Sequence, residues 1–275
     1  MDIFSSQYPL EFISFGSGSS GNCYILRHGT ECVLIDLGIG IRAFKRHLHQ
    51  YGLNIHNFVA AFATHDHTDH IKAIGKFAAE TGLPVYSTET VHEGMRTNRF
   101  MTRKVPEDQV RTINVGDTVE IAGISITPFP VPHDSKDCVG YLIRKGNTCL
   151  CLATDIGTPT DEVRKAVAAA NYVVIEANYD LPMLATGRYP QFLKDRIRGG
   201  RGHLCNDETA EILATCLRED VKRVWLCHLS EENNTPQLAL KTITTRLEQV
   251  GKKPNESFLL EALPRMKPTE FCTLD

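Results

Sequence analysis

Residues 64–70 read Thr-His-Asp-His-Thr-Asp-His, a string that few folds can accommodate. Three histidines and two aspartates fall between His65 and His70. An apolar, β-leaning run, Phe58 to Ala63, precedes them, and a helical pattern follows from Ile71 to Ala79. The cluster therefore lies at a strand-to-helix junction, where a rigid strand end can make side chains converge. Neutral imidazole and carboxylate are ligands that zinc and manganese accept. His65 and His67 alternate by two and share one face of an extended segment. Asp69 and His70 fall in the first helical turn and aim at a second point. That spacing suits two adjacent metal ions better than one. The plainer alternative is a polar loop that caps the helix through Thr68 or Asp69. Against it stands the cost of burying three histidines without partners.

Along the rest of the chain, Leu10 to Phe15, Cys23 to Arg27 and Cys32 to Asp36 read as strands. The glycine- and serine-rich turn Gly16 to Asn22 parts the first two, and His28-Gly-Thr the next pair. Gly40 to Tyr51 is helical, with Ile41, Phe44 and Leu48 on one face. A short strand from Val85, a helix from Thr88 to Asn98 capped by Thr88, and three strand-like runs between Val110 and Pro130 follow. Val139 to Ile143 and Thr148 to Ala153 form a hairpin. A helix from Thr160 to Ala170 leads to the strand Tyr172 to Glu176. Residues 179–202 read as irregular or weakly helical. A helix from Asn206 to Leu217 takes Asn206 as its N-cap, and the strand Val224 to Cys227 ends at His228. Pro236 to Val250 is helical and Phe258 to Leu263 closes as a strand. No repeat, low-complexity segment or linker is visible, so one domain over residues 1–275 is expected. The order fits two sheets packed face to face with helices outside.

At 275 residues and 42% hydrophobic, the chain has ample material for a core. A formal net charge of −3 gives no global attraction to nucleic acid or anionic membrane, so a polyanion site has to be local. No apolar run approaches the roughly 18 residues of a membrane helix. Met1 to Gln7 lacks the basic-then-apolar pattern of a leader. The nine cysteines show no Cys-x-x-Cys spacing, and most sit in apolar runs, as Cys149 and Cys151 do. They read as buried free thiols of a reducing compartment. The expectation is a soluble cytoplasmic protein with no membrane contact.

The string His-x-His-x-Asp-His, here His65, His67, Asp69 and His70, resembles the signature of the metallo-β-lactamase superfamily, and the likeness covers most of the chain. The resemblance implies the α/β class and a four-layer αββα sandwich. It completes the ligand set from later strand ends: His133 after Val131-Pro132, Asp155 after Leu150 to Thr154, and His228 after Val224 to Cys227. It assigns His65, His67 and His133 to one metal, Asp69, His70 and His228 to another, and Asp155 to a bridge. The cofactors implied are two divalent ions, zinc or else manganese or iron. Asp36 stands where the family carries an aspartate that orients ligands without binding metal.

Ile175-Glu-Ala-Asn178 and Gly202-His-Leu-Cys-Asn206 resemble elements of ribonuclease Z and related phosphodiesterases. That likeness puts His203 on the scissile phosphate with Glu176 holding it, and Asp69 is the residue to take the nucleophile's proton. The plain readings are a strand-end carboxylate paired to an arginine and a loop histidine near a helix start. Phe15 to Cys23 and His228 to Asn234 resemble the YycJ/WalJ-type branch, bacterial single-domain nucleases associated with 5′-to-3′ exonuclease activity on DNA. Ser19 and Asn22 of the Gly-Ser loop become phosphate contacts in this reading, against a flexible hairpin turn. Arg188, Lys194, Arg196, Arg198 and Arg201 precede His203 against one acid, Asp195. Arg196, Arg198 and Arg201 are the expected contacts to backbone phosphates, against a merely solvated face. Arg96, Arg99, Arg103 and Lys104 form a second basic cluster. Together these features imply a dinuclear metal-dependent phosphodiesterase, a nuclease acting on DNA. The alternatives are a hydrolase of a small ester, thioester or cyclic phosphodiester, a flavodiiron-like redox protein, and a binding module that kept the fold. The oligomeric state is open, with a homodimer among the options.

Overall fold

The computed structural model describes residues 8–275; the leader reading of residues 1–7 lies outside them. Strands β1 (Leu10–Gly16), β2 (Cys23–His28) and β3 (Glu31–Ile35) form an antiparallel meander, to which β4 (Phe58–Phe62), β5 (Val85–Ser87) and β6 (Val110–Thr112) add in parallel. A second sheet repeats the plan. There β7 (Val119–Ile121), β8 (Ile124–Pro130), β9 (Val139–Lys145) and β10 (Thr148–Ala153) are antiparallel, and β11 (Tyr172–Glu176), β12 (Arg223–Cys227) and β13 (Leu259–Ala262) follow in parallel. The last strand, β14 (Cys272–Leu274), returns to the first sheet beside β1, as β7 lies beside β8 in the second. The topology is thus duplicated where the sequence shows no repeat, because pairing direction and burial, not residue identity, are what recur.

Both faces of each sheet are buried, which follows from two-residue periodicity in runs without polar alternation. Phe12, Leu26 and Val33 enter the core between the sheets, where they meet Tyr141, Leu150, Leu152 and Val174. Their neighbours Ile13, Ile25 and Leu34 turn the other way, under α1 (Ile41–Gln50), α3 (Ile74–Thr81) and α4 (Glu89–Thr97). In the second sheet Cys151, Val173 and Ile175 face α5 (Asp161–Ala169), α8 (Asn206–Cys216) and α9 (Pro236–Gln249). The αββα order expected from the sequence is therefore observed. All nine cysteines are free, and seven are buried. Burial pushes thiols such as Cys23 and Cys138 well above their usual pKa, which keeps them protonated and inert. Among the described residues no helix is long and apolar enough to cross a membrane.

The structure refines the local reading in four places. The helix after the metal string is broken into α2 (Thr68–Ile71) and α3, because Ala73 N–H donates to Leu37 O and His70 O accepts from Leu37 N–H. Its N-cap is His67, not Thr68 or Asp69. Helix α8 is capped at Cys205, with Glu208 accepting the Cys205 N–H; Asn206 is the first helical residue and is buried against Asn234. The stretch 179–202 contains two short helices, α6 (Leu181–Thr186), capped by Asp180, and α7 (Gln191–Arg198).

Candidate metal centre

The ends of six strands meet on one edge of the sandwich. Asp36 follows β3, Thr64 to His70 follow β4, and His133 follows β8. Asp155 follows β10, Glu176 ends β11 and His228 follows β12. Asp36, Asp155 and His228 have left-handed backbones, with φ of 58°, 57° and 53°. That conformation costs a non-glycine residue about 1–2 kcal/mol and bends the chain sharply, turning each side chain into the cluster. In the duplicated topology Asp36 and Asp155 occupy equivalent strand ends.

Three donor groups converge at a first point: ligand atoms of His65, His67 and His133 lie within 4.8 Å of one another. Two of the three imidazoles are oriented from behind. His133 Nδ1 is fixed by Gly202 O at 2.9 Å, and His65 Nδ1 by Thr64 Oγ1 at 3.0 Å. His65 Nε2 is then buried with no partner among the described residues. A buried imidazole nitrogen left unpaired is what a metal ligand looks like without its ion. Asp69, His70 and His228 converge at a second point under the same limit. Asp155 sits between the points, its Oδ2 3.1 Å from His70 Nε2 and its Oδ1 3.8 Å from His133 Nε2 and 3.4 Å from His228 Nδ1. The chemistry of the donors, imidazole and carboxylate, fits a divalent metal.

Electrostatics follow from packing these groups together. Burial and the neighbouring His70 hold His65 well below the usual imidazole range. His70 is pushed well above it: burial works against its charge, and Asp155, Asp36 and Asp69 overcome that. His228 rises to about 10 against the same desolvation, through Asp155, Asp69 and Glu176. Asp36 holds His70 Nδ1 at 2.7 Å and accepts from the Thr64 N–H and hydroxyl, each at 2.8 Å. It ties the strand-end backbone to one imidazole.

Glu176 is fully buried and holds two histidines, not an arginine. Its Oε1 lies 2.7 Å from His203 Nδ1 and 3.0 Å from His228 Nδ1, and its Oε2 accepts the N–H groups of Ile156 and Leu204. His203 Nε2 is thereby left for a cavity of about 170 Å³ whose walls include Ser19, Asp134, Tyr189, Arg196 and Ser230. Burial lowers the pKa of His203, and the Glu176 carboxylate more than reverses it.

The expected substrate contacts separate on inspection. Ser19 reaches the cavity. Asn22 is buried beneath the loop, its Oδ1 accepting Gly18 N–H and its Nδ2 2.8 Å from His70 Nε2. The N–H groups of Ser17, Gly18, Gly21 and Asn22 are committed to the protein itself, so the loop is a tied turn more than a phosphate cradle. Arg196 lines the cavity and pairs with Asp134, whereas Arg198 is exposed. Arg201 donates to the carbonyls of His133 and Ser135 and acts as a brace. In the second basic cluster Arg96 pairs with Glu89 and Glu107 and Lys104 with Asn98 O, as on an ordinary solvated face. Sequence reasoning assigned nothing to Thr64, Asn178 or Asp134. Asn178 donates to His228 O at 2.8 Å, and its place beside Glu176 in the same motif was the available signal. For Asp134 the signal was adjacency to His133.

Loop and ligand segment touch at Gly38. A Cβ there would stand 1.6 Å from Asp69 O, where Asn22 N–H already donates at 2.7 Å. Gly38→Ala is therefore expected to force the Asp69–His70 turn aside. It should cost about 1–3 kcal/mol of stability, read by denaturant unfolding of the metal-free protein, and should weaken metal binding as well.

An αββα sandwich with this ligand edge defines a class of metal-binding proteins. The chain belongs to the β-lactamase superfamily: residues 31–229 match the family model described as beta-lactamase superfamily domain. Exodeoxyribonuclease YycJ of Bacillus anthracis is 33% identical over 262 residues, covering 95% of this chain and 98% of that protein. Exodeoxyribonuclease WalJ of Streptococcus pneumoniae serotype 2 (strain D39 / NCTC 7466) is 32% identical over 244 residues, covering 89% and 90%. The crystal structure of the metallo-β-lactamase fold protein YhfI from Bacillus subtilis superposes with a TM-score of 0.71 at 16% identity, covering 96% and 99%, and shares the fold. The family resemblance carried by His65, His67, Asp69 and His70 is borne out.

Proposed function

We propose that this chain is a metal-dependent phosphodiesterase that degrades DNA from an end, in the 5′-to-3′ direction its family resemblance implies. The observation that carries the reading is the Glu176–His203 pair, set beside two convergent His/Asp groups and opening on a cavity with Arg196. Two relatives similar over most of their length are named exodeoxyribonucleases. His65, His67 and His133 would hold one ion, Asp69, His70 and His228 a second, and Asp155 both; zinc, manganese and iron all suit such donors. Bound divalent ions supply Lewis acidity, which acidifies water and polarises a phosphoryl oxygen.

The chain's own groups do the rest. Asp69 Oδ2 lies 3.5 Å from His228 Nε2, and its carboxylate is 24% exposed, so it can take a proton from attacking water. Glu176 accepts from His203 Nδ1–H and favours the imidazolium, leaving Nε2–H to protonate the departing oxygen. Arg196 offers positive charge to a phosphate at the cavity wall. Phe192, 74% exposed, lies one helical turn before Arg196 on α7 and shares its face, a stacking platform for an unpaired base. The cavity alone would admit a small phosphodiester; Phe192 and Arg198 outside it favour a polymer.

The test is degradation of 5′- and 3′-labelled DNA and RNA by protein of measured metal content. Release of the 5′ label from DNA first is the expected result, and action on small phosphodiesters alone would favour the small-molecule hydrolase. Binding should also weaken with salt, at a slope of about −0.7 per phosphate contact on single strands. Replacing Arg196 and Arg198 together by alanine should shallow that slope by up to about two contacts, equally for all sequences. An unchanged slope would make α7 a solvated face only.

A further inference from the structure

Asp134, next to His133, has a divided carboxylate. Its Oδ2 accepts from Arg196 Nε. Its Oδ1 is buried without a hydrogen-bond partner among the described residues, although the side chain as a whole is 24% exposed. A carboxylate oxygen buried with no donor is costly, so a cation is the partner that suits it. That oxygen lies 3.3 Å from His133 Nε2 and 3.6 Å from His67 Nε2. Around His133 Nε2 the other donors are His67 Nδ1 at 3.2 Å and Asp155 Oδ1 at 3.8 Å. Donors that share one ion through bonds of about 2.1 Å stand roughly 3–3.5 Å apart, and the 3.2 and 3.3 Å separations of His67 Nδ1 and Asp134 Oδ1 from His133 Nε2 fall in that range, with Asp134 as a fifth protein donor beside Asp155.

We propose that Asp134 is an eighth protein group of the metal centre, its Oδ1 serving the ion held by His65, His67 and His133 while Arg196 holds its other oxygen. The ion site and the arginine that faces substrate then share one carboxylate, which fixes α7 against the centre. This rests on the two-ion reading of the cluster and not on the identity of the substrate.

The test is metal affinity by chelator competition in the absence of substrate, with the visible spectrum of the cobalt-substituted protein as a second readout. Asp134→Ala should weaken one ion by more than the roughly 10–100-fold that losing a partner behind a ligand costs, and leave the other unchanged. Its cobalt spectrum should shift. Asp134→Asn keeps the shape of the side chain and one acceptor oxygen, should fall between, and decides the matter if the alanine variant does not fold. Arg196→Ala should retain both ions. Two ions bound as tightly as in the parent protein, with an unaltered cobalt spectrum, would overturn the proposal. If His67→Ala also keeps both ions, the assignment of His65, His67 and His133 to one ion fails, and a parent protein that holds fewer than two ions would sink the two-ion reading itself; both are different outcomes.

Discussion

Asp155→Asn is expected to release metal and to lower turnover by on the order of 10³-fold. Asp155 reaches both convergence points, 3.1 Å from His70 and 3.8 Å from His133. It also offsets the charge that burial disfavours on His228 and His70. Asparagine keeps the shape and the contact to the Thr154 hydroxyl but removes the charge. Losing Lewis-acid stabilisation worth about 4 kcal/mol corresponds to about 10³ in rate. Elemental analysis after chelator-free purification, alongside kcat, checks both halves. The parent protein should approach two ions per chain and the variant fall well below. A variant that kept full metal content would remove Asp155 from the bridging role.

The second large effect is at His203, where metal and rate should separate. His203→Ala should keep its ions yet lose about 10²–10⁴-fold in kcat, the usual contribution of a general acid. Its Nδ1 is engaged by Glu176 and its Nε2 faces the cavity, so its removal leaves the six convergent ligands and Asp155 in place. Glu176→Gln should be milder in rate but should move the alkaline limb of the pH profile to lower pH, because the carboxylate that raises the His203 pKa and keeps the acid protonated is gone. Loss of an ion from His203→Ala would place His203 among the ligands, a geometry its 3.7 Å approach to Asp155 Oδ1 makes worth testing.

What could be read from the sequence was whatever physical chemistry fixes locally. His65 to His70 located the cluster of convergent donors because few environments tolerate so many buried donors so closely spaced. The strands were readable from uninterrupted apolar runs, and Thr88 caps α4 as its position suggested, while Thr160, read as the first helical residue, is the cap of α5. The failures were of three physical kinds. Helices α6 and α7 are six and eight residues long, bounded by prolines and glycines, and too short for a periodic signal. The break at Ala73 is imposed by the Leu37 backbone from more than thirty residues away. Arg201 and Asn22 carry the right chemistry for phosphate but face the protein's own carbonyls and His70, which no local pattern could reveal. Asp134 depends on Arg196, sixty-two residues on, and on the orphaned state of one oxygen.

The duplicated topology divides the proposed ligands between two halves of the chain. Asp69 and His70 come from the first sheet's side, and His228 from the second's. An ion held by all three ties shut a loop of about 160 residues, and a permanent cross-link of that span would deprive the unfolded chain of conformational freedom worth roughly 5 kcal/mol. No disulfide does this work, since every cysteine is a free thiol. Such a centre would act as a removable staple: with ions bound the two sheets would separate only as fast as metal departs, and their cohesion would follow the concentration of free metal.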